Sequence, residues 1–410
     1  MSDIKEIPGG VCAPKGFRAG GIWCGVKASS KKRDLALIYS ENVCTAAAMF
    51  TTNRVKAASV LVSKEHIANG KLRAIIANSG NANACTGEEG IKAARLMAGY
   101  AADEFAISPK DVAVASTGVI GVPFPIAAVE NSIGALANSL RSDEAGHAAA
   151  LEAIMTTDTR KKDISVEVEI GGVPVRFGAM CKGSGMIHPN MATMLCFITC
   201  DASISADALD SSLRRSADRS FHRLTVDGDT STNDCVIIMA SGAAGNPLIN
   251  KGSAEYELFT STLEAVCVNL TRKMARDGEG ATKLLTVTVS GAADDNAACV
   301  LAKSVASSSL VKAACFGADA NWGRVLCALG YAGVDFDPAQ TDVIFKSRAG
   351  TINMCCKGAS VPFSEDEAKV ILSEDELEIM VQLNGGQGSA SVWGCDLSYD
   401  YVKINGDYRS

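Results

Sequence analysis

The residues best suited to chemistry lie in one run, Lys182-Gly-Ser-Gly-Met-Ile-His-Pro-Asn-Met-Ala-Thr-Met-Leu195, where small residues and a proline lead into an apolar segment ending at Cys200. The bond of interest is Ala192-Thr193. A threonine hydroxyl is a poor nucleophile at neutral pH. A threonine at a chain terminus, however, carries its own base, because a free α-amino group titrates at about 7.7–8.0. That range suits proton transfer near neutrality. Gly183 and Gly185 permit backbone shapes closed to other residues, so the segment could press a bent peptide against the Thr193 hydroxyl for an N-to-O acyl shift. Cleavage would then leave Thr193 as a new N-terminus. The competing reading is a Gly/Pro loop entering a buried strand over residues 194–200. Composition alone favours that loop, since a motif needs its structural context.

A second candidate is Thr117-Gly118, which follows the apolar run 112–116. A threonine before a glycine at a strand end can aim a hydroxyl and a backbone N–H at one point, as an oxyanion requires. Other chemistries find less support. The four histidines, His66, His147, His188 and His222, fall at no metal-ligand spacing and no Cys-x-x-Cys occurs, so no metal site is expected. A Ser-His-Asp hydrolase would draw on His188 or His222, but there is no Gly-x-Ser-x-Gly elbow. The acidic block 227–234 lacks the terminal glutamate of a calcium loop, and Asp277-Gly-Glu-Gly-Ala-Thr-Lys283 lacks the glycine spacing of a phosphate loop. The most economical base is the amine of Thr193 itself.

These residues need elements to hold them. Apolar runs at 34–41, 59–63, 74–78, 112–116, 194–200, 235–240 and 284–289 read as strands, with alternating segments at 343–346 and 377–383. Residues 164–170 and 173–177 alternate about Gly171-Gly172 as a hairpin. Helical spacing marks 91–105, 205–224, 254–276 and 294–311, and 319–324 reads as a turn. The polar block 79–87 is either a site at a strand end or a tight turn capped by its asparagines, the turn being favoured. The pattern is mixed α/β, with no short repeat or low-complexity linker.

At 410 residues, 47% hydrophobic and 21% charged, the chain should form two or more packed units. Its net charge of −7 offers no general field for nucleic acid or an anionic membrane surface, and phosphate-bearing partners would need a local site. The fifteen cysteines are scattered, several within apolar runs (Cys196, Cys267, Cys315, Cys327), which predicts buried reduced thiols. No apolar stretch approaches the roughly 18–20 residues of a spanning helix, and the start shows no apolar leader core, so a cytoplasmic protein is expected.

The run KGSGMIHPNMATML resembles the signature of the ornithine acetyltransferase family, the bifunctional glutamate N-acetyltransferases of arginine biosynthesis. Further blocks match in the same order: Asn78-Ser-Gly-Asn-Ala-Asn-Ala-Cys-Thr-Gly87, Ser116-Thr-Gly-Val-Ile-Gly121, Thr156-Thr-Asp-Thr159, the stretches 225–234, 277–283 and 316–324, and Tyr401-Val-Lys-Ile-Asn-Gly-Asp-Tyr-Arg-Ser410. The match spans essentially the whole chain, with no departure at a catalytic position.

The resemblance implies an α/β fold: a layered mixed-sheet sandwich flanked by helices, similar to N-terminal-nucleophile enzymes but differing in connectivity. It implies self-cleavage at Ala192-Thr193 into an alpha chain, 1–192, and a beta chain, 193–410, paired as an α2β2 heterotetramer. Thr193 would be the nucleophile and Thr117 and Gly118 the oxyanion hole. Thr156, Lys182, Thr193, Glu279, Asn405 and Ser410 would bind substrate, Lys182 as a point charge for a carboxylate and Glu279 attracting an ammonium. Residue by residue, Lys182 and Glu279 read equally well as solvated charges, and Asn405 and Ser410 lie where chain ends usually fray. The implied reaction moves acetyl from N2-acetyl-ornithine to L-glutamate without a cofactor. Acetyl-CoA as a second donor is compatible with the same blocks, although no coenzyme A motif stands out. Two other readings are an N-terminal-nucleophile aminopeptidase or hydrolase, in which water replaces glutamate, and an uncleaved metabolite-binding protein.

Overall fold

A computed structural model describes residues 4–27, 30–188 and 194–407. The chain forms two compact units, the first comprising Met1–Gly183, Asn190–Phe221 and Thr230–Leu270, the second Ser184–Pro189, His222–Asp229 and Thr271–Ser410.

Among the described residues the first unit holds a nine-stranded sheet. Its strands are β1 (Lys5–Glu6), β2 (Phe17–Ile22), β3 (Leu35–Phe50), β4 (Lys71–Asn81), β5 (Val112–Val119), β6 (Lys162–Ile170), β7 (Val173–Lys182), β8 (Leu195–Cys200) and β9 (Cys235–Ala240). They lie in the order β1-β6-β7-β8-β9-β3-β4-β5, with β2 paired to β3. Successive side chains point to opposite faces. Leu35, Leu37, Ala74, Ile76, Val112 and Val114 pack with helices Ala58–His66 and Gly87–Glu104, while Ala36, Ile38, Ile75, Ala77, Ala113 and Ala115 pack with helix Glu144–Ile154. Every residue of β8 is buried, which explains why its sequence runs apolar without alternation. β8 runs antiparallel to β7, with Leu195 opposite Lys182, and parallel to β9. Segments from both sides of the Ala192-Thr193 bond therefore complete a single sheet.

The second unit carries β10 (Leu284–Ala292), β11 (Asp342–Ser347), β12 (Gly350–Cys356), β13 (Ala359–Ser360), β14 (Glu376–Gln382) and β15 (Gly388–Cys395), ordered β13-β12-β11-β14-β10-β15. β10 pairs parallel with β14 and antiparallel with β15. Leu285, Val287 and Val289 share a core with Leu301, Val305, Val325 and Ile371 of the neighbouring helices. The expectation of mixed sheets flanked by helices holds. Among the described residues no single helix is long and apolar enough to cross a membrane.

Several elements differ from the sequence reading. Residues 59–63 lie within helix Ala58–His66, not a strand. A short β-branched run cannot decide between the two by itself, and here Ser59, Val62, Ser63 and His66 form one buried helical face. That face is pinned to β5: Ser63 Oγ lies 2.6 Å from both the carbonyl and the amide of Val114, and His66 Nδ1 lies 2.8 Å from the Val112 carbonyl. The helix expected over 205–224 is Ala206–Asp218, followed by a short 3-10 turn at Phe221–Arg223. The one expected over 294–311 is two helices, Asp295–Ser307 and Ser309–Phe316, because Ser308 leaves helical geometry and its side chain accepts from the Val311 amide as an N-cap. The turn at 319–324 passes into helix Trp322–Gly330, capped by Asn321. Cys327 is exposed on that helix, whose buried side carries Val325, Ala328 and Leu329. Cys196, Cys267 and Cys315 are buried, as expected. Residues 399–406 form helix Tyr399–Gly406 rather than a frayed end.

Candidate active site

Ala192, Thr193 and Ser410 lie outside the described residues. The other candidates fall into two groups, one in each unit.

In the first unit the site is set by strand ends. β4 and β5 run parallel until the register slips at Gly80 and Asn81, beside Thr117 and Gly118. Gly118 has φ 132° and the Gly80 backbone is so close that a Cβ on residue 118 would stand 2.3 Å from the Gly80 carbonyl carbon, so only glycine fits there. Thr117 is 3% exposed, and its Oγ1 accepts a hydrogen bond of 3.2 Å from Lys182 Nζ. Lys182, at the end of β7, is equally buried, so the solvated-charge reading of this residue fails. The block 79–87 is not one tight turn: residues 79–81 end β4 and Gly87 opens helix Gly87–Glu104, and between them the asparagines bond the backbone, the Asn83 amide donating to Asn81 Oδ1 and Asn78 Nδ2 to the Asn81 carbonyl, each at 2.8 Å.

Two carboxylates that the sequence reading passed over complete this group. Asp158 Oδ1 accepts from Lys162 Nζ at 2.6 Å and from the Gly183 amide at 2.8 Å, while Oδ2 accepts from the Thr156 amide at 2.9 Å. Burial pushes its pKa up, but the charges of Lys162 and Lys182 and these hydrogen bonds outweigh it and hold the carboxyl at about 2. Asp158 thus ties Thr156 to the end of β7. The available signal was its i,i+4 spacing to Lys162. Asp234, fully buried, accepts from the Met194 amide at 2.9 Å. Burial raises its pKa well above the carboxylate range, partly opposed by that hydrogen bond and by Lys182. It therefore holds the residue that follows Thr193.

In the second unit, Glu279 is 7% exposed, so it too is no solvated charge. Its amide donates to the Ser184 carbonyl at 2.9 Å and its Oε2 accepts from Asn405 Nδ2 at 2.9 Å. The C-terminal helix thereby reaches Glu279, as a binding role for Asn405 required. A Cβ on Gly185 would stand 2.2 Å from Glu279 Oε2, which gives that glycine a steric reason. Met186 sits at φ 56°, a costly conformation for a side-chain-bearing residue. It is held there by Asp227, whose two oxygens accept from the amides of Met186 and Ile187 at 2.6 and 2.8 Å. His188 Nδ1 lies 3.1 Å from Thr225 Oγ1, and burial lowers its pKa.

Residues 18–410 match the model of the ArgJ family. The chain is 52% identical over 408 residues to the arginine biosynthesis bifunctional protein ArgJ of Symbiobacterium thermophilum, covering 99% of this chain and 100% of that protein. It is 50% identical over 407 residues to the protein of the same name from Caldanaerobacter subterraneus, with the same coverage. Among solved structures it is similar to the argJ protein of Bacillus halodurans (44% identity, 51% of this chain and 97% of that one, TM-score 0.49). It is also similar to the ornithine acetyltransferase of Mycobacterium tuberculosis complexed with ornithine (34% identity, 47% and 100%, TM-score 0.43). A family match over nearly the whole length, with relatives half identical from end to end, places the chain in the ArgJ family.

Proposed function

We propose that this chain is an acetyltransferase of arginine biosynthesis that cleaves itself between Ala192 and Thr193, then moves acetyl from N2-acetyl-ornithine to glutamate through an ester on Thr193. The observation that carries this reading is identity of about one half, over whole length, to relatives named as bifunctional proteins of arginine biosynthesis. In the first step Thr193 Oγ attacks the Ala192 carbonyl carbon. The C–N bond breaks and frees the Thr193 amine as an ester forms between the Ala192 acyl group and Oγ, and water then hydrolyses that ester to release the Ala192 carboxylate and restore the Thr193 hydroxyl. In turnover that amine takes the hydroxyl proton while Oγ attacks the acetyl carbonyl. Ornithine leaves with the proton, and glutamate repeats the sequence in reverse.

The geometry suits this chemistry. Because Thr117 Oγ1 already accepts from the Lys182 ammonium, its own hydrogen stays available to donate to an oxyanion. The Gly118 amide would be the second donor. Thr156, Lys182, Glu279, Asn405 and Ser410 would bind the amino-acid substrates. Acetyl-CoA serves as a second donor: the thioester C–S bond breaks as the Thr193 ester forms, and the thiol leaves with the proton. We place the enzyme in the cytoplasm as a heterotetramer of two alpha and two beta chains, needing no metal or resident cofactor.

The test is to incubate the protein with acetyl-ornithine and glutamate and follow ornithine, acetylglutamate and acetate together. Ornithine and acetylglutamate should appear in equal amounts. Acetate as the main product would instead establish the hydrolase.

A further inference from the structure

Beside Thr156 and Asp158 the first unit has a cavity of about 530 Å³, walled also by Lys27, Lys31, Lys32, Arg33 and Glu152. That volume lies in the usual range of ligand sites, about 300–1,000 Å³. Its charges do not cancel. Glu152 is shared between Arg33 and Lys161, and Asp158 is spent on Lys162 and the backbone of Thr156 and Gly183. Lys31 and Lys32 are exposed and form no ion pair among the described residues. Lys27 is half-buried, its ammonium held by the carbonyls of Met155 and Arg33 at 2.8 and 3.2 Å, which leaves a third hydrogen for a ligand. A chain of net charge −7 has here gathered a local excess of cations, on the segment between β2 and β3, in the cavity wall that also carries Thr156 and Asp158. One amino-acid carboxylate does not need so many. Phosphate groups do, each carrying one to two charges and several acceptor oxygens.

We propose that this cavity binds the phosphate end of a phosphorylated acyl carrier, so that acetyl-CoA docks its 3′-phosphate and diphosphate against Lys27, Lys31 and Lys32 while its acetyl end reaches toward the Thr156 side of the site. This rests on the reading of acetyl-CoA as a second donor.

The test compares the full-length parent with the double variant Lys31→Ala/Lys32→Ala, which alters only exposed side chains. Calorimetry with 3′,5′-adenosine diphosphate probes the subsite directly, and kinetics with each acetyl donor probe its use. The subsite predicts that the parent binds the probe, that the variant binds it about tenfold or more weakly, that KM for acetyl-CoA rises in step, and that acetyl-ornithine exchange stays within about twofold, the usual insensitivity of a reaction to distant exposed charges. A parent that binds the probe through these lysines yet releases no CoA when glutamate is acceptor keeps the subsite and removes acetyl-CoA as donor. Absent or equal binding in the two proteins overturns the subsite. So does a rise in the KM for glutamate that matches the rise for acetyl-CoA, because the cluster would then serve a carboxylate.

Discussion

The contact between the Lys182 ammonium and the Thr117 hydroxyl joins two residues that sequence alone could describe only separately. Thr117-Gly118 was legible as a strand-end pair and Lys182 as a charge beside glycines. Their burial and their meeting depend on β5 and β7 belonging to one sheet, which local periodicity does not encode. Asp158 and Asp234 went unassigned for the same reason: their partners at Gly183 and Met194 are distant in sequence. The two groups predict separable kinetics. Thr117→Ala should lower kcat by about two to three orders of magnitude, the usual loss of one oxyanion donor, with KM little changed. Glu279→Gln should chiefly raise KM for the amino-acid substrates, by about tenfold, as expected for a lost charged contact. Steady-state kinetics on soluble variants read both. An unchanged kcat in the first or an unchanged KM in the second removes that residue from its role.

At the scale of elements, most strands and the long helix Ala254–Arg276 could be read from apolar spacing. The hairpin of β6 and β7 could be read as well, because Gly171 and Gly172 take the left-handed φ values of 60° and 77° that a two-residue turn demands. The misread segment, residues 59–63, became helical because its buried face is completed by hydrogen bonds to β5. The turn that Asp158 builds between Thr156 and Gly183 is an element of this second, non-local kind, and it makes a pH prediction. Its carboxyl titrates at about 2 in the fold, below about 3.9 for an unperturbed aspartate. The ionised form therefore favours folding. That stabilisation is complete above about pH 5 and is lost as pH falls through 4 toward 2, roughly 2–3 kcal/mol by linkage. Asp158→Asn should be less stable than the parent at neutral pH by about 3 kcal/mol, because the buried Lys162 ammonium loses its carboxylate, and should show a flatter acid dependence. Denaturant midpoints measured from pH 7 to pH 3 check this. Parallel curves for the two proteins would show that Asp158 carries no such load.

For the whole molecule, the sequence foretold mixed sheets and more than one unit. It did not foretell where the units divide, since both draw on segments from either side of residue 193. Cleavage at Ala192-Thr193 would leave β7 and β8 hydrogen-bonded as neighbours, so both pieces can remain in one fold after the peptide bond is gone. In the proposed mechanism Thr193 acts twice, first on the Ala192 carbonyl and then on the acetyl carbonyl. The most direct measurement is the intact mass of the purified parent and of Thr193→Ala, before and after incubation with acetyl-ornithine. The parent should appear as fragments 1–192 and 193–410, with one acetyl group added to the fragment that begins at Thr193. The variant should remain one unacetylated chain of 410 residues. A Thr193→Ala protein that still splits after Ala192, or an acetyl group on any other residue of the parent, would contradict the assignment of the nucleophile.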